Sequence, residues 1–266
     1  MDLGFFDKHG YQVVRDLFSP AEIEPIATFL DKERGTSLQV VQEVLPFENT
    51  AHLIAEIQAL LQDRPRFEAL PVQTRMILSG HFRLEAQLDE TLQEIPRSDK
   101  LQGILRQIFP NRDLRMHLPP VARFVLPGNG FAGVPPHQDA SYNEHVKELV
   151  VVWVPFTEID DACGGVAVYH GSGSITEIAT EGDGNFWLKP IDTKGYEKTH
   201  VKIKPGDALL LNPYIIHESM PNRSDRIRYS IDYRFFATPV TSTKHYLELS
   251  TWQVVAPDAT QPTRET

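Results

Sequence analysis

From about residue 118 the chain becomes a succession of short β-branched and aromatic runs: VARFVL, ELVVVWVPF, GVAVYH, THVKI, DALLLN, YIIH and IRYSIDYRFF. Proline and glycine stand between them, as in the KPGD turn at 204–207. Seven short runs separated by turn signals predict two antiparallel sheets packed face to face. The expected core, about 118–240, is a jelly-roll-like, cupin-like double sheet.

Residues 1–117 have a different texture. Ser19 is placed to cap a helix, with Pro20 at its first position and Glu22 three residues on, and Ile23, Ile26, Ala27 and Leu30 follow at helical spacing. Further helices are expected over 50–63 and through SDKLQGILRQIF, where Ser98 is the cap. GYQVVRDLF suits a short strand. Residues 182–200 read as a long excursion, and the tail from about 250 as polar and loosely ordered. The class is therefore mainly β with α, a helical N-terminal layer on a β core, forming one domain over 1–266.

A formal net charge of −10 argues against nucleic acid as a partner, because phosphate binding needs a positive footprint. No apolar run approaches the roughly 18–20 residues that span a membrane, and MDLGFFDKHG lacks the layout of a secretory signal. The one cysteine, Cys163, excludes an internal disulfide and reads as a small buried residue. A cytoplasmic protein is expected, acting on a small molecule, with a homodimer left open.

Chemistry enters at PPHQDASYN. In an extended segment His137 and Asp139 would point to one face. Alone, H-x-D is weak, and a histidine on a strand is more often structural. His217, read as ending the YIIH strand, offers a third ligand. Two histidines and a carboxylate on one face of an octahedral ion leave the other face open, as in non-haem Fe(II) oxygenases. Eleven residues on stands Arg228, beyond the turn-like NRSD. The strands flanking that turn are expected to pair as a hairpin, setting a buried cation beside a metal ligand. Such an arginine needs an anion, and the far carboxylate of a chelating dicarboxylate would serve, with Ser219 adding a hydroxyl donor. Arg226 competes for the same role, and Asp232 competes as the partner of either arginine.

Taken in order, H-Q-D, W-x-P, G-G, P-G-D, H-x-S-x-x-N and the closing arginine resemble the phytanoyl-CoA dioxygenase-like family of Fe(II)/2-oxoglutarate oxygenases. The resemblance runs from FFDKHGYQVVRDLFSPAEIEPI through VVVWVPFTEIDDACGGVAVYHGSGS to IKPGDALLLNPYIIHESMPNRSDRIRYSIDYRF. It implies a double-stranded β-helix with His137, Asp139 and His217 on iron, Arg228 and Ser219 on 2-oxoglutarate, and O2 as oxidant. It also implies a cosubstrate-lining role for Trp153, which as a residue suits a strand core equally well, and a polar contact near the cosubstrate for Arg123. Halogenases of this chemistry lack the carboxylate, so Asp139 implies hydroxylation, with desaturation, epoxidation or ring formation as other outcomes. A cupin-like enzyme without 2-oxoglutarate and a catalytically silent binding protein are the alternatives.

The chain departs from the family at HGSGS, where His170 precedes the Gly-Ser pair. Segment 65–100 fits no pattern, and there His81, Phe82 and Arg83 are the substrate candidates. No basic cluster suits the phosphates of a CoA thioester, so the expected substrate is a small metabolite or natural-product intermediate.

Overall fold

A computed structural model describes residues 1–143, 146, 148–174, 177–178, 182–183, 187–240 and 242–257. The helices are α1 Leu3–His9, α2 Pro20–Val44, α3 Thr50–Gln62, α4 Arg64–Glu68, α5 Val72–Leu78, α6 Leu84–Gln87, α7 Glu94–Arg97 and α8 Asp99–Ile108. The strands are β1 Tyr11–Val14, β2 Leu114–His117, β3 Val121–Val125, β4 Val150–Pro155, β5 Gly165–Tyr169, β6 Gly182–Asp183, β7 Trp187–Leu188, β8 Lys198–His200, β9 Ala208–Leu211, β10 His217–Met220, β11 Arg228–Ala237, β12 Tyr246–Glu248 and β13 Gln253–Val255.

Helix α2 starts where the cap signal placed it. The Glu22 carboxylate accepts from both the backbone N–H and the hydroxyl of Ser19, at 2.8 and 2.7 Å. Its apolar stripe buries Ile23, Ile26, Leu30 and Val41. The helix runs ten residues beyond the charged DKER cluster, because the stripe continues. Asn49 caps α3, its side chain accepting from the His52 N–H.

The fold is a double-stranded β-helix. The larger sheet has the order β1-β9-β4-β11-β2-β12-β13, with β3 also paired to β11. The smaller sheet is β10-β5-β8, and β6 and β7 pair with each other. Strand β11 organises the larger sheet. One edge meets β4; the other meets β3 along its first half and β2 along its end.

Strand alternation divides the interior in two. Ile231, Tyr233 and Phe235 of β11, with Val152 and Val154 of β4, face the helices and pack with Ile26, Leu30, Leu60 and Phe67. Val151, Trp153, Leu209 and Leu211 face the other way and pack with Val166, Val168 and Ile215 between the sheets. The same alternation puts Arg228, Ser230, Asp232 and Arg234 on the inner face. Leu30 is fully buried in the helix–sheet core. Leu30→Ala should therefore lower unfolding free energy by about 2–5 kcal/mol in chemical denaturation, through lost transfer energy plus a cavity.

Four sequence expectations need correction. His217 opens β10 instead of ending YIIH, because the strand that pairs with β5 is HESM. Strands β10 and β11 do not form a hairpin; they lie in different sheets, β10 paired to β5 and β11 to β2, β3 and β4. Residues 114–117 form a strand that extends the larger sheet, as do β12 and β13 beyond residue 240. The 182–200 excursion contains a two-strand pairing and contributes β8 to the smaller sheet. Residues 258–266 of the polar tail lie outside the described residues. The apolar FFAT and YLEL segments fall in β11 and β12, where Phe235, Phe236, Tyr246 and Leu247 are buried. No helix among the described residues is long and apolar enough to cross a membrane.

Candidate metal centre

His137 and His217 form an isolated antiparallel bridge in which each backbone N–H donates to the other's carbonyl, both at 3.0 Å. This register stands the two side chains side by side, with ring centroids 4.3 Å apart. Each Nδ1 lies against a carbonyl two residues back: Pro135 O at 2.8 Å and Ile215 O at 3.0 Å. A carbonyl only accepts, so both rings carry Nδ1–H and turn Nε2 inward, the orientation a metal ligand requires.

Asp139 reaches the same point by a different route. It begins a 3-10 turn over Asp139–Tyr142, not the extended segment expected. The neighbouring Gln138 is fully buried, its amide donating to Tyr214 O and accepting from the Ile178 N–H. Asn143 donates to the Asp139 carbonyl at 3.0 Å. These bonds fix the turn, and one ligand atom from each of His137, Asp139 and His217 lies within 4.8 Å of the others. All three residues are buried.

The electrostatics favour a cation here. Burial would raise the Asp139 carboxyl, but Arg234 and the two histidines outweigh it and hold the group below its ordinary value. Arg234, half-buried, stands 3.3 Å from Asp139 Oδ1. Burial, then His217, pushes His137 down to about 3, so its imidazole is neutral. Two imidazoles that turn Nε2 inward and one ionised carboxylate, gathered in a buried site, fit a first-row divalent ion of octahedral preference.

Arg228 lies across the interior from His217, on the larger sheet. It is 4% exposed, and its Nη1 donates to Cys163 O at 3.0 Å and Met220 O at 2.8 Å. Burial, then Arg123, pushes it down to about 10, still charged at neutral pH. Among the described residues no carboxylate pairs with it. Arg226 leaves the competition: it pairs with Asp160 at 2.5 Å on the surface. Asp232 interacts with Arg234 and Arg123 instead. Ser219 shares the His217 face of β10, two residues on.

The remaining candidates separate. Trp153 sits on the inner face beside Asp232 and Leu209, within the apolar core between the sheets. Arg123 and His81 line one cavity with Phe131, Val134 and Leu188. Phe82 is core, packed on Phe124 and Tyr229. Arg83 pairs with Glu33 at 2.6 Å. His170 contacts Tyr11 and Thr199. Cys163 is buried and its thiol is raised by that burial, which suits its reading as a structural residue.

Sequence reasoning missed Arg234 and Lys244. Counting by twos from Arg228 along one strand would have found Arg234. Lys244 donates to Tyr142 O and Asn143 Oδ1 from the segment after β11. Nothing local in the sequence marks that contact.

Known proteins share this chain's family and fold. Residues 6–230 match the family described as phytanoyl-CoA dioxygenase (PhyH). A 1-deoxypentalenic acid 11-beta-hydroxylase of Streptomyces arenae is 30% identical over 271 residues, covering 97% of this chain and 87% of the relative. Among solved structures, the epimerase SnoN in complex with Fe3+, alpha ketoglutarate and nogalamycin RO superposes with a TM-score of 0.60 at 13% identity, covering 90% of this chain and 83% of that one. The apo form of the non-heme monooxygenase ThoJ gives 0.57 at 17%, covering 91% and 79%. At these identities the solved structures establish the shared fold.

Proposed function

The chain belongs to the phytanoyl-CoA dioxygenase family of Fe(II)/2-oxoglutarate-dependent oxygenases, and from that premise we propose that it hydroxylates an unactivated C–H bond of a small natural-product intermediate. The observation that carries this reading is the buried triad of His137, Asp139 and His217, both rings held by their Nδ1–H, facing a buried arginine that has no acidic partner among the described residues. The related hydroxylase acts, by its name, on 1-deoxypentalenic acid, which supports hydroxylation of a natural product.

Iron held by the triad would supply the oxidising chemistry: one oxygen atom of O2 goes to the substrate C–H, and the other converts 2-oxoglutarate to succinate and CO2. The chain's own residues do the rest. His137, Asp139 and His217 hold one face of the ion and leave the opposite face to ligands. Arg228 fixes the far carboxylate of 2-oxoglutarate by a charge-assisted fork, with the Ser219 hydroxyl as a second donor. Trp153 forms part of the apolar floor beside the strand that carries Arg228, and that floor limits water. Arg234 keeps Asp139 ionised and oriented. The whole chain acts as one domain, and its single cysteine and acidic charge suit the cytoplasm.

The test is anaerobic. Fe(II) and then 2-oxoglutarate are added to metal-free protein, and the weak visible charge-transfer band of the chelate is followed. The band should appear in the wild type and vanish in His137→Ala. Iron binding without a band would move the cupin-like alternative ahead, and binding of neither would leave a silent fold.

Gly164 supplies a second, subtler prediction. Its φ is +80°, and a Cβ there would stand 2.4 Å from Pro221 O, 2.6 Å from Met220 O and 2.9 Å from Arg228 Nη1. Gly164→Ala must therefore push Met220 O and the guanidinium apart. The variant should need about tenfold more 2-oxoglutarate to form the chelate band, with its Fe(II) titration unchanged. An unchanged 2-oxoglutarate titration in a folded variant would separate Arg228 from the cosubstrate.

A further inference from the structure

The oxygenase reading leaves one half-buried cation of the inner face without work, Arg123. It stands on β3 opposite Ser230 of β11, so it shares the inner face with Arg228, Asp232 and Arg234. Its Nη2 donates to Ser79 O at 3.0 Å and to Ala132 O at 2.9 Å, which fixes the guanidinium between two loops. Its buried Nε has no hydrogen-bond partner. No carboxylate among the described residues forms an ion pair with it; Asp232 attracts it from farther off.

Arg123 lines a cavity of about 60 Å³ with Ser79, His81, Phe131, Val134 and Leu188. The cavity shares a wall with the metal centre. Val134 O accepts from the Ser219 N–H, and Pro135 O, also in the lining, holds the His137 ring. This volume admits a polar head group or a few waters, not a whole multi-ring substrate. His81 adds no second charge. The Ser79 hydroxyl donates its only proton to Met76 O, so its 3.0 Å contact with His81 Nδ1 is a bond donated by the imidazole. Burial and Arg123 hold that imidazole neutral, at about 3.

Charge balance across the interior points the same way. Among the described residues, the arginines Arg123, Arg228 and Arg234 of this face meet only the carboxylates of Asp139 and Asp232. Under the reading above, the two positive charges of Fe(II) and the two negative charges of 2-oxoglutarate cancel. One positive charge stays uncompensated in a water-poor interior, which is costly unless a ligand supplies an anion. Of the three arginines, Arg123 is the one that lines this cavity.

We propose that Arg123 is the anchor for a carboxylate on the substrate, and that the enzyme acts on small, largely apolar carboxylic acids. The acid group enters the cavity beside His81, and the hydrocarbon part extends toward the open face of the triad. This rests on the oxygenase reading for its charge balance, but the cavity, and a guanidinium with no carboxylate paired to it among the described residues, stand without it.

The experiment titrates acid and amide pairs into the anaerobic Fe(II)·2-oxoglutarate protein by calorimetry: benzoate with benzamide, cyclohexanecarboxylate with its amide, and adamantane-1-carboxylate with its amide. At least one acid should bind about tenfold or more tightly than its amide, since only the acid brings a negative charge to the guanidinium. In Arg123→Gln that preference should disappear, while the 2-oxoglutarate titration of the visible band stays at its wild-type midpoint. In Arg123→Lys, which keeps the charge but loses the paired bonds to Ser79 O and Ala132 O that hold the guanidinium in place, the preference should fall by about threefold or more. If no pair shows an acid preference, or the preference persists unchanged in the variants that fold, the proposal is overturned. If Arg123→Gln weakens the 2-oxoglutarate titration and leaves the pairs unaffected, the carboxylate it holds is the cosubstrate's, and the proposal is likewise overturned. A wild type that forms no chelate band sinks the oxygenase reading instead; the same pairs run on metal-free protein then still decide the Arg123 subsite.

Discussion

Replacing Arg228 with methionine should raise the 2-oxoglutarate concentration for half-maximal chelate formation by about a hundredfold or more, while Fe(II) still binds. The size follows from burial. Arg228 is 4% exposed, and its described contacts are two backbone carbonyls, Cys163 O and Met220 O. Carbonyls satisfy N–H groups but do not neutralise a charge. A buried unpaired cation is strained electrostatically, and a dicarboxylate relieves the strain when it binds. Two further outcomes separate this from simple misfolding. The wild type should gain thermal stability on adding 2-oxoglutarate in the presence of metal, by mass action, and the methionine variant should gain almost none. Arg228→Lys, with the charge but without the planar fork, should fall between them. Equal 2-oxoglutarate titrations for wild type and methionine variant would remove Arg228 from the site.

Arg228 and its neighbours also show where the sequence could be read and where it could not. The inner-face alternation of β11 is visible in RYSIDYRFFA, since period two is the strand's own geometry. The ligand set was legible too, because H-x-D followed by a histidine near a strand terminus is a local pattern. The hairpin between His217 and Arg228 was not borne out. NRSD is turn-like, but a turn does not say whether its flanks pair with each other or join different sheets. That choice depends on β5 and on β3 and β4, far away in the chain. Asp139 likewise reaches the ligand cluster through a 3-10 turn fixed by Gln138 and Asn143, a tertiary arrangement that an extended reading cannot supply. The pocket residues of 65–100 fell apart for the same reason. His81, Phe82 and Arg83 are consecutive, yet one lines a cavity, one fills the core and one pairs with Glu33 of α2.

Asp139→Asn should lower Fe(II) affinity by more than about a hundredfold and abolish succinate formation, because it removes a ligand and not merely a supporting bond. A neutral amide cannot replace the carboxylate that Arg234 holds ionised. The same change leaves Arg234 as a half-buried cation whose remaining acidic neighbour among the described residues is Asp232, two residues back on β11. That should cost up to about 3–5 kcal/mol of stability in the metal-free protein. The two effects can be pulled apart. Arg234→Met on the Asp139→Asn background removes the stranded charge, and denaturant unfolding should recover most of the lost stability while Fe(II) affinity stays low. Arg234→Met alone should keep all three ligands yet weaken Fe(II) binding by about tenfold, through the loss of the group that orients Asp139. Non-additivity in stability, with affinity tracking Asp139 first and Arg234 second, would identify one residue as ligand and the other as its support. If Asp139→Asn binds Fe(II) as tightly as the wild type, the triad assignment fails, and with it the inference that the carboxylate is what commits this site to hydroxylation.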